Sequence, residues 1–271
     1  MTTEPITIFI GFDERQSEAF KACKQSLLET ASGPVEIYAL KHQELRDLGF
    51  FTRPWNINEK GAFTDLVDGK PFSTQFSHSR FLVPYLANLY NAGTYSVFVD
   101  SDFIFLTDIH QVVKEITAQK RQPVYCVKHD YQSDTDIKMD GRNQFNYNKK
   151  LWTAFMVFET RHPSLAKLSP YEVNTMTGRD LHQFKWLGDS PEEKIGSLAE
   201  TWNFIPNHSD KNVDPNAYIN AIHYTLGTPH IEGYENCDYC DFYWGAYARA
   251  LATEAKEIAD SRFKILNVKN S

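Results

Sequence analysis

The chain has 271 residues, 42% of them hydrophobic and 14% aromatic, enough for one large α/β domain. A formal net charge of −7 argues against nucleic acid as a partner, because a phosphate backbone needs a basic face, but leaves room for a nucleotide held by a local cation or metal. No stretch approaches the ~20 apolar residues of a membrane span, and MTTEPITIFI lacks a basic region ahead of an apolar one, so the expectation is a cytoplasmic protein without a membrane span.

Ile6–Ile10 (ITIFI) is a short apolar run ending at Gly11, and Ala19, Phe20, Cys23, Leu27 and Leu28 then recur at helical spacing between about 16 and 30. Gly33-Pro34 breaks the chain before a second strand, Val35–Leu40, and strand, helix, strand at this spacing predicts a parallel βαβ unit. Residues 49–75 show no clear period and read as a long excursion, expected to order as a lid when a ligand binds, as does 128–150. A helix is predicted over Ser77–Asn91 with a bend at Pro84, followed by a strand in SVFVDSDFIFL (96–106) and a helix from Asp108 to about Gln119. Pro123–Lys128, Ala154–Phe158 and Ala221–Tyr224 read as strands, with short helices near 164–168 and 171–177 and a C-terminal helix over Gly245–Ile258. Cys23 and Cys126 fall in apolar patterns as reduced core residues, whereas Cys237 and Cys240 form a C-x-x-C with no second thiol pair, fitting a turn better than a zinc site.

The chemistry concentrates in SVFVDSDFIFL. Ligands gather at the carboxyl ends of strands in α/β sheets, and the run Ser96–Val99 delivers Asp100 and Asp102 there. Residues i and i+2 of extended chain share a face, so both carboxylates converge, and their repulsion calls for a cation between them. Carboxylate oxygens suit magnesium or manganese. Asp134 and Asp136 have the same spacing in polar surroundings with no strand to place them, and read as solvated. A phosphotransferase of haloacid-dehalogenase type also uses two aspartates at this spacing, but on its first strand and before a Gly-Thr/Val turn, where this chain has Phe103-Ile104-Phe105.

With these residues in place the sequence resembles the A-type fold (GT-A) nucleotide-sugar glycosyltransferases, particularly family 8 and its relatives. Ile8–Asp13 is similar to their first strand and nucleotide-contacting turn, and Ser79–Pro84 to the Arg-bearing helix ahead of the metal motif. Val97–Ile104 followed by Asp108-Ile109 is similar to the metal motif itself, and Ile222–Pro229 to a late His-x-x-Gly-x-Lys-Pro-Trp element whose His is the third metal ligand. The resemblance implies a single-domain α/β, Rossmann-like fold whose mixed, mostly parallel sheet is flanked by helices. Residues 1–128 would form the nucleotide-binding half, and 129–271 the acceptor-binding half and C-terminal helix. It implies Mn2+ or Mg2+ on Asp100, Asp102 and His223, and transfer with retention of a hexose from a nucleotide diphosphate sugar, a UDP-sugar first, to an acceptor hydroxyl. Where the family has Lys-Pro-Trp this chain has Thr228-Pro229-His230, so the cation facing the diphosphate is missing. That departure supports a second reading, a non-catalytic nucleotide-sugar or carbohydrate-binding protein.

Each further candidate has a plainer role beside its functional one. Gly11, Phe12 and Asp13 would contact base and ribose, or else form a helix entry capped by Asp13. Arg80 would pair with an aspartate or a phosphate, or lie solvated. Ser101, Gly227 and His230 complete the donor set, with His230 or Lys128 replacing the missing lysine, and Lys149 and Lys150 are surface lysines unless they face a diphosphate. Asp189 and Glu192 fit a helix start, or the positioning of an acceptor hydroxyl as catalytic carboxylates. Trp202-Asn203 is the best sugar-stacking candidate for the acceptor, and His223 on its apolar strand would otherwise be a core histidine.

Overall fold

The computed structural model describes residues 4–59, 61–130, 149, 151–211, 213, 214 and 216–269, of which 263–269 as backbone alone. Strand β1 (Ile6–Gly11), helix α1 (Ser17–Thr30) and strand β2 (Val35–Leu40) form the expected βαβ unit, with β1 and β2 parallel. After α2 (His42–Asp47), the 49–75 excursion folds as a small antiparallel sheet of β3 (Trp55–Ile57), β4 (Phe63–Asp65) and β5 (Pro71–Phe72). It is anchored rather than poised as a lid. Arg53 is fully buried, pairs with Asp65, and donates to the carbonyls of Val173 and Met176 at 3.0 and 2.6 Å.

The predicted 77–91 helix is divided. A 3-10 turn over Ser79–Leu82 leads into α3 (Val83–Leu89), and Pro84 lies in the first turn of α3 instead of bending a continuous helix. Proline is tolerated there because a first-turn N–H has no carbonyl to meet. Then come β6 (Tyr95–Val99), β7 (Phe103–Phe105), α4 (His110–Thr117), β8 (Val124–Val127) and β9 (Phe155–Glu159). Helices α5 (Pro170–Thr175) and α6 (Gly178–His182) precede β10 (Ile195–Leu198) and β11 (Ala221–His223), and the long α7 (Cys240–Lys269) closes the described chain.

Six strands form one sheet in the order β10-β8-β9-β6-β1-β2, and β9 alone runs against the rest. Alternation divides the core between the two faces of this sheet. Ile8, Ile10, Val97 and Val99 face one side, packing with Leu27, Val112 and Phe155, whereas Phe9 and Phe98 face the other with Phe81, Leu86 and Met156. A third cluster wedges α7 onto α1 through Ala19, Ala22, Tyr243 and Ala246. Strand β7, which the sequence alone merges with β6, belongs to a separate two-stranded sheet with β11. Strand β10 is also read from structure only, because Ile195–Leu198 is too short and too glycine-interrupted for its period to show. Cys237 and Cys240 are free thiols, Cys237 in the loop before α7 and Cys240 at its first position, and burial pushes Cys237 up to about 11. No described helix is long and apolar enough to cross a membrane.

Asp108 fastens the end of this N-terminal unit. It accepts from the Ser32 and His110 backbone N–H groups at 3.1 and 3.0 Å, from the Ser32 hydroxyl at 2.5 Å, and pairs with the His110 ring at 2.8 Å. Burial raises its pKa, but these hydrogen bonds outweigh burial and bring it down to about 2. A carboxyl depressed on folding stabilises above its unfolded pKa of about 4 and loses that contribution as pH falls through the folded value. Asp108→Ala is therefore expected to cost about 1 kcal/mol at neutral pH. Urea midpoints measured between neutrality and pH ~2 should fall less steeply in the variant, and parallel profiles would refute the assignment.

Candidate functional site

The turn Asp100–Asp102 lies where β6 ends and β7 begins, at the carboxyl edge of the parallel strands. The Asp100 N–H donates to the Ala154 carbonyl at 2.8 Å, so the turn hangs from the start of β9. Beyond it, β7 pairs antiparallel with β11, with His223 opposite Phe103, and the Tyr224 N–H donates to the Asp102 carbonyl at 2.9 Å. This ladder carries a histidine 121 positions downstream onto the aspartate pair. Ligand atoms of Asp100, Asp102 and His223 lie within 4.8 Å of one another.

Second contacts orient these groups. His223 is buried, stacks on Phe103 with ring centroids 4.2 Å apart, and bonds the Asn203 side-chain Oδ1 through Nδ1 at 2.7 Å. The Asn203 Nδ2 donates to the Leu151 carbonyl at 3.3 Å, which fixes the amide with its oxygen toward the ring. His223 Nδ1 therefore carries a proton, which leaves Nε2 directed at Asp102 Oδ1, 3.3 Å away. A cation placed between that carboxylate oxygen and the imidazole nitrogen would be within reach of both. Two carboxylates and an imidazole are a donor set suited to a hard or borderline divalent ion, so these residues fit manganese or magnesium.

Arg80 is the structural cation of the site. Its Nη1 lies 2.9 Å from Asp100 Oδ1 and donates to the Thr153 carbonyl at 2.8 Å, and the guanidinium rests over the Phe98 ring at 4.8 Å. Of the two roles open to it, pairing with an aspartate is the one observed. Ser101 is buried within the turn, and Cys23 close by is held as a thiol, pushed up by burial and by the two aspartates.

The other expected residues divide. Gly11 is required by packing, because a Cβ there would stand 2.6 Å from the Phe76 ring, and Gly227 likewise meets Tyr234 at 2.8 Å. Asp13 is fully buried and committed to Arg15 and to the Gln75 N–H at 3.1 Å as the cap of a 3-10 turn, the plainer of its two expected roles. Burial raises its pKa, but Arg15 and the backbone donors bring it below the ordinary value. Phe12 is half-buried against Phe20, with Lys41 over its ring at 5.5 Å. His230 is exposed and bonds the Tyr243 hydroxyl at 2.9 Å, and Lys128 donates to the Ile195 carbonyl at 2.7 Å. Asp189 is exposed, and exposed Glu192 pairs with Lys149 at 2.5 Å, a contact that lowers the Glu192 pKa. Lys150, with the Asp134/Asp136 pair and most of the 128–150 stretch, lies outside the described residues.

The Trp202–Asn203 expectation is corrected. Trp202 is 1% exposed, stacks on Phe155 and donates from Nε1 to Glu115 at 2.8 Å, so it is a core residue without an open face for a sugar. Asn203 is fully buried and orients imidazoles instead of an acceptor. Besides holding His223, its main-chain carbonyl accepts from His129 Nε2 at 2.8 Å. His129, Glu200 and His208, which carry no signal in the sequence, form a second set of ligand atoms within 4.8 Å of one another.

The same arrangement of strands occurs in solved glycosyltransferases. The bifunctional glycosyltransferase WbbM matches 92% of this chain over 50% of its own, at TM-score 0.55 and 17% identity. The glycosyltransferase GlyE of Streptococcus pneumoniae TIGR4 matches 94% over 64% of its own, at TM-score 0.53 and 10% identity. The chain thus spans half to under two thirds of the length of these structures, and it has their A-type fold. No protein-family model matches the sequence. In sequence, Protein CDI of Arabidopsis thaliana is 36% identical over 259 residues, 95% of this chain and 92% of that protein, and the chain belongs to its family.

Removing one partner of a fully buried ion pair costs about 3 kcal/mol, and Asp100 keeps some solvent contact, so the penalty here is smaller. Arg80→Leu is accordingly expected to lower the unfolding free energy by about 1 to 2 kcal/mol, measured by urea denaturation at neutral pH. An unchanged midpoint would show that Asp100 does not depend on the guanidinium.

Proposed function

We propose that the chain is a metal-dependent glycosyltransferase that moves a hexose from a nucleotide diphosphate sugar, a UDP-sugar first, to an acceptor hydroxyl. The observation that carries this reading is the convergence of Asp100, Asp102 and His223 at the carboxyl end of β6, in a fold shared with glycosyltransferases. Bound there, Mn2+ or Mg2+ would supply positive charge for the diphosphate and for the nucleoside diphosphate as it departs. Asp100, Asp102 and His223 would hold the ion, and Arg80 and Asn203 orient two of these three without touching substrate. Gly11, Phe12 and Ser101 belong to the proposed donor site through their place beside the turn. In the reaction the bond from anomeric carbon to phosphate oxygen breaks, the acceptor oxygen bonds that carbon, and the acceptor proton passes to the departing diphosphate. The resemblance to family 8 supports attack on the same face, with retention. Asp189 and Glu192 are proposed to position the acceptor, Glu192 through the strap it forms with Lys149.

One observation favours the binding-protein reading. Thr228 occupies the place of the late lysine and is buried beside Tyr243, and His230 points its Nδ1 at the same tyrosine. Neither supplies a fixed positive charge for a leaving group.

Calorimetric titration with uridine diphosphate is expected to show binding with Mn2+ and none without it. Asp102→Asn should weaken that binding at least ~100-fold, and Asn203→Ala, which removes no expected ligand but frees the orientation of His223, roughly 10- to 100-fold. Equal binding without metal would overturn the metal-dependent reading. A panel of nucleotide sugars then separates transferase from binding protein: slow hydrolysis of one donor supports turnover, and binding without hydrolysis or transfer supports the alternative.

A further inference from the structure

We infer that His129, Glu200 and His208 form a second divalent-metal site, of the kind a zinc ion occupies, separate from the aspartate pair. The three residues come from different parts of the chain: His129 just past β8, Glu200 at the head of the 3-10 turn Glu200–Asn203, and His208 in the following loop. Their ligand atoms lie within 4.8 Å of one another.

The His129 ring carries the inference. Its side chain is completely buried, and its Nε2 can only donate to the Asn203 carbonyl, because that oxygen is an acceptor. In the neutral ring the lone pair is therefore on Nδ1, a tautomer set by a carbonyl on the opposite nitrogen, as is usual for metal-bound histidines. That Nδ1 is directed at Glu200 Oε1, 3.7 Å away, and neither atom makes a hydrogen bond. The gap is too long for an N–H···O bond, so a proton shared by the two does not explain it. It is close to the spacing of about 3.4 Å for two donors each about 2.1 Å from one tetrahedral zinc. His208 supplies a second imidazole, and two imidazoles with one carboxylate favour zinc over the magnesium or manganese suited to the oxygen-richer aspartate site. Three protein ligands leave a fourth position for water or a ligand.

The placement gives this ion a structural consequence. Asn203 lies between the two clusters, with its carbonyl on His129 and its side-chain oxygen on His223. An ion gripping His129, Glu200 and His208 would clamp both sides of Asn203 and so brace the orientation of His223.

Cobalt(II) tests this, because a four-coordinate ion gives visible d–d absorption whatever the enzymatic activity. The full chain, stripped of metal with a chelator, is titrated with Co2+ and then with Zn2+ as competitor, alongside Asp102→Asn, Glu200→Gln and His208→Gln. The expected result is one equivalent of visibly absorbing cobalt, displaced by zinc, in wild type and in Asp102→Asn. Glu200→Gln and His208→Gln should each lose at least ~100-fold in affinity while keeping the wild-type near-ultraviolet circular dichroism. Retention of Asp102→Asn binding separates this site from the proposed donor site, so either can fail alone. No absorbing cobalt in wild type, or equal binding in the Glu200 and His208 variants, would overturn the inference. So would a thiolate charge-transfer band abolished by Cys240→Ser, which would put the ion on Cys237 and Cys240.

Discussion

Three residue pairs between β7 and β11 hold the candidate site together. Without that ladder the aspartates would sit on a sheet edge of the N-terminal half and His223 on a detached strand of the other half. The pairing is antiparallel with His223 opposite Phe103, so the aromatic ring that buries β7 also supports the imidazole. A shift of one residue would turn His223 to the opposite face of its strand. Packing of Ile104 and Ile222 with Tyr243 and Ala246 of α7 fixes the register, which makes the C-terminal helix part of the support of the site although it offers no expected ligand.

Charge is balanced locally. Asp100 has Arg80, and Asp102 faces the imidazole of His223, whose Nδ1 is held on the far side by Asn203. One carboxylate is thus paired with a guanidinium, while the other is set opposite an imidazole nitrogen. A cation entering there would meet ligands already held in place by the fold. The same device recurs at His129, where again a fixed donor on one nitrogen leaves the other facing a carboxylate.

Much of this architecture was legible because hydrophobic runs report their own period. Ile6–Gly11, Val35–Leu40 and Tyr95–Val99 are strands for the reason their alternation and branching suggest, and the acids interrupting such a run stand out. Other residues misled because a side chain's partners are not written beside it. Trp202 and Asn203 stand among polar neighbours in sequence, but Glu115 and Phe155 cover the tryptophan from elsewhere in the chain. Asp13 had a cap and a ribose contact open to it in sequence, and only the fold shows its oxygens on Arg15 and Gln75, while Gly11 is glycine because of Phe76, 65 positions away. Pro84 broke no helix, since the helix begins around it.

The sequence by itself determined the βαβ start, the strand that delivers Asp100 and Asp102, and the need of two adjacent carboxylates for positive charge. Those are local properties, set by side-chain period and by charge repulsion over two residues. Tertiary structure alone decided that Arg80 meets Asp100, that Asn203 sets the tautomers of two histidines, and that His129, Glu200 and His208 converge. Each of these joins residues of separate elements through individual polar contacts, Asn203 reaching His223 20 positions away and His129 74 positions away, and one polar side chain has no period by which sequence could announce its partner.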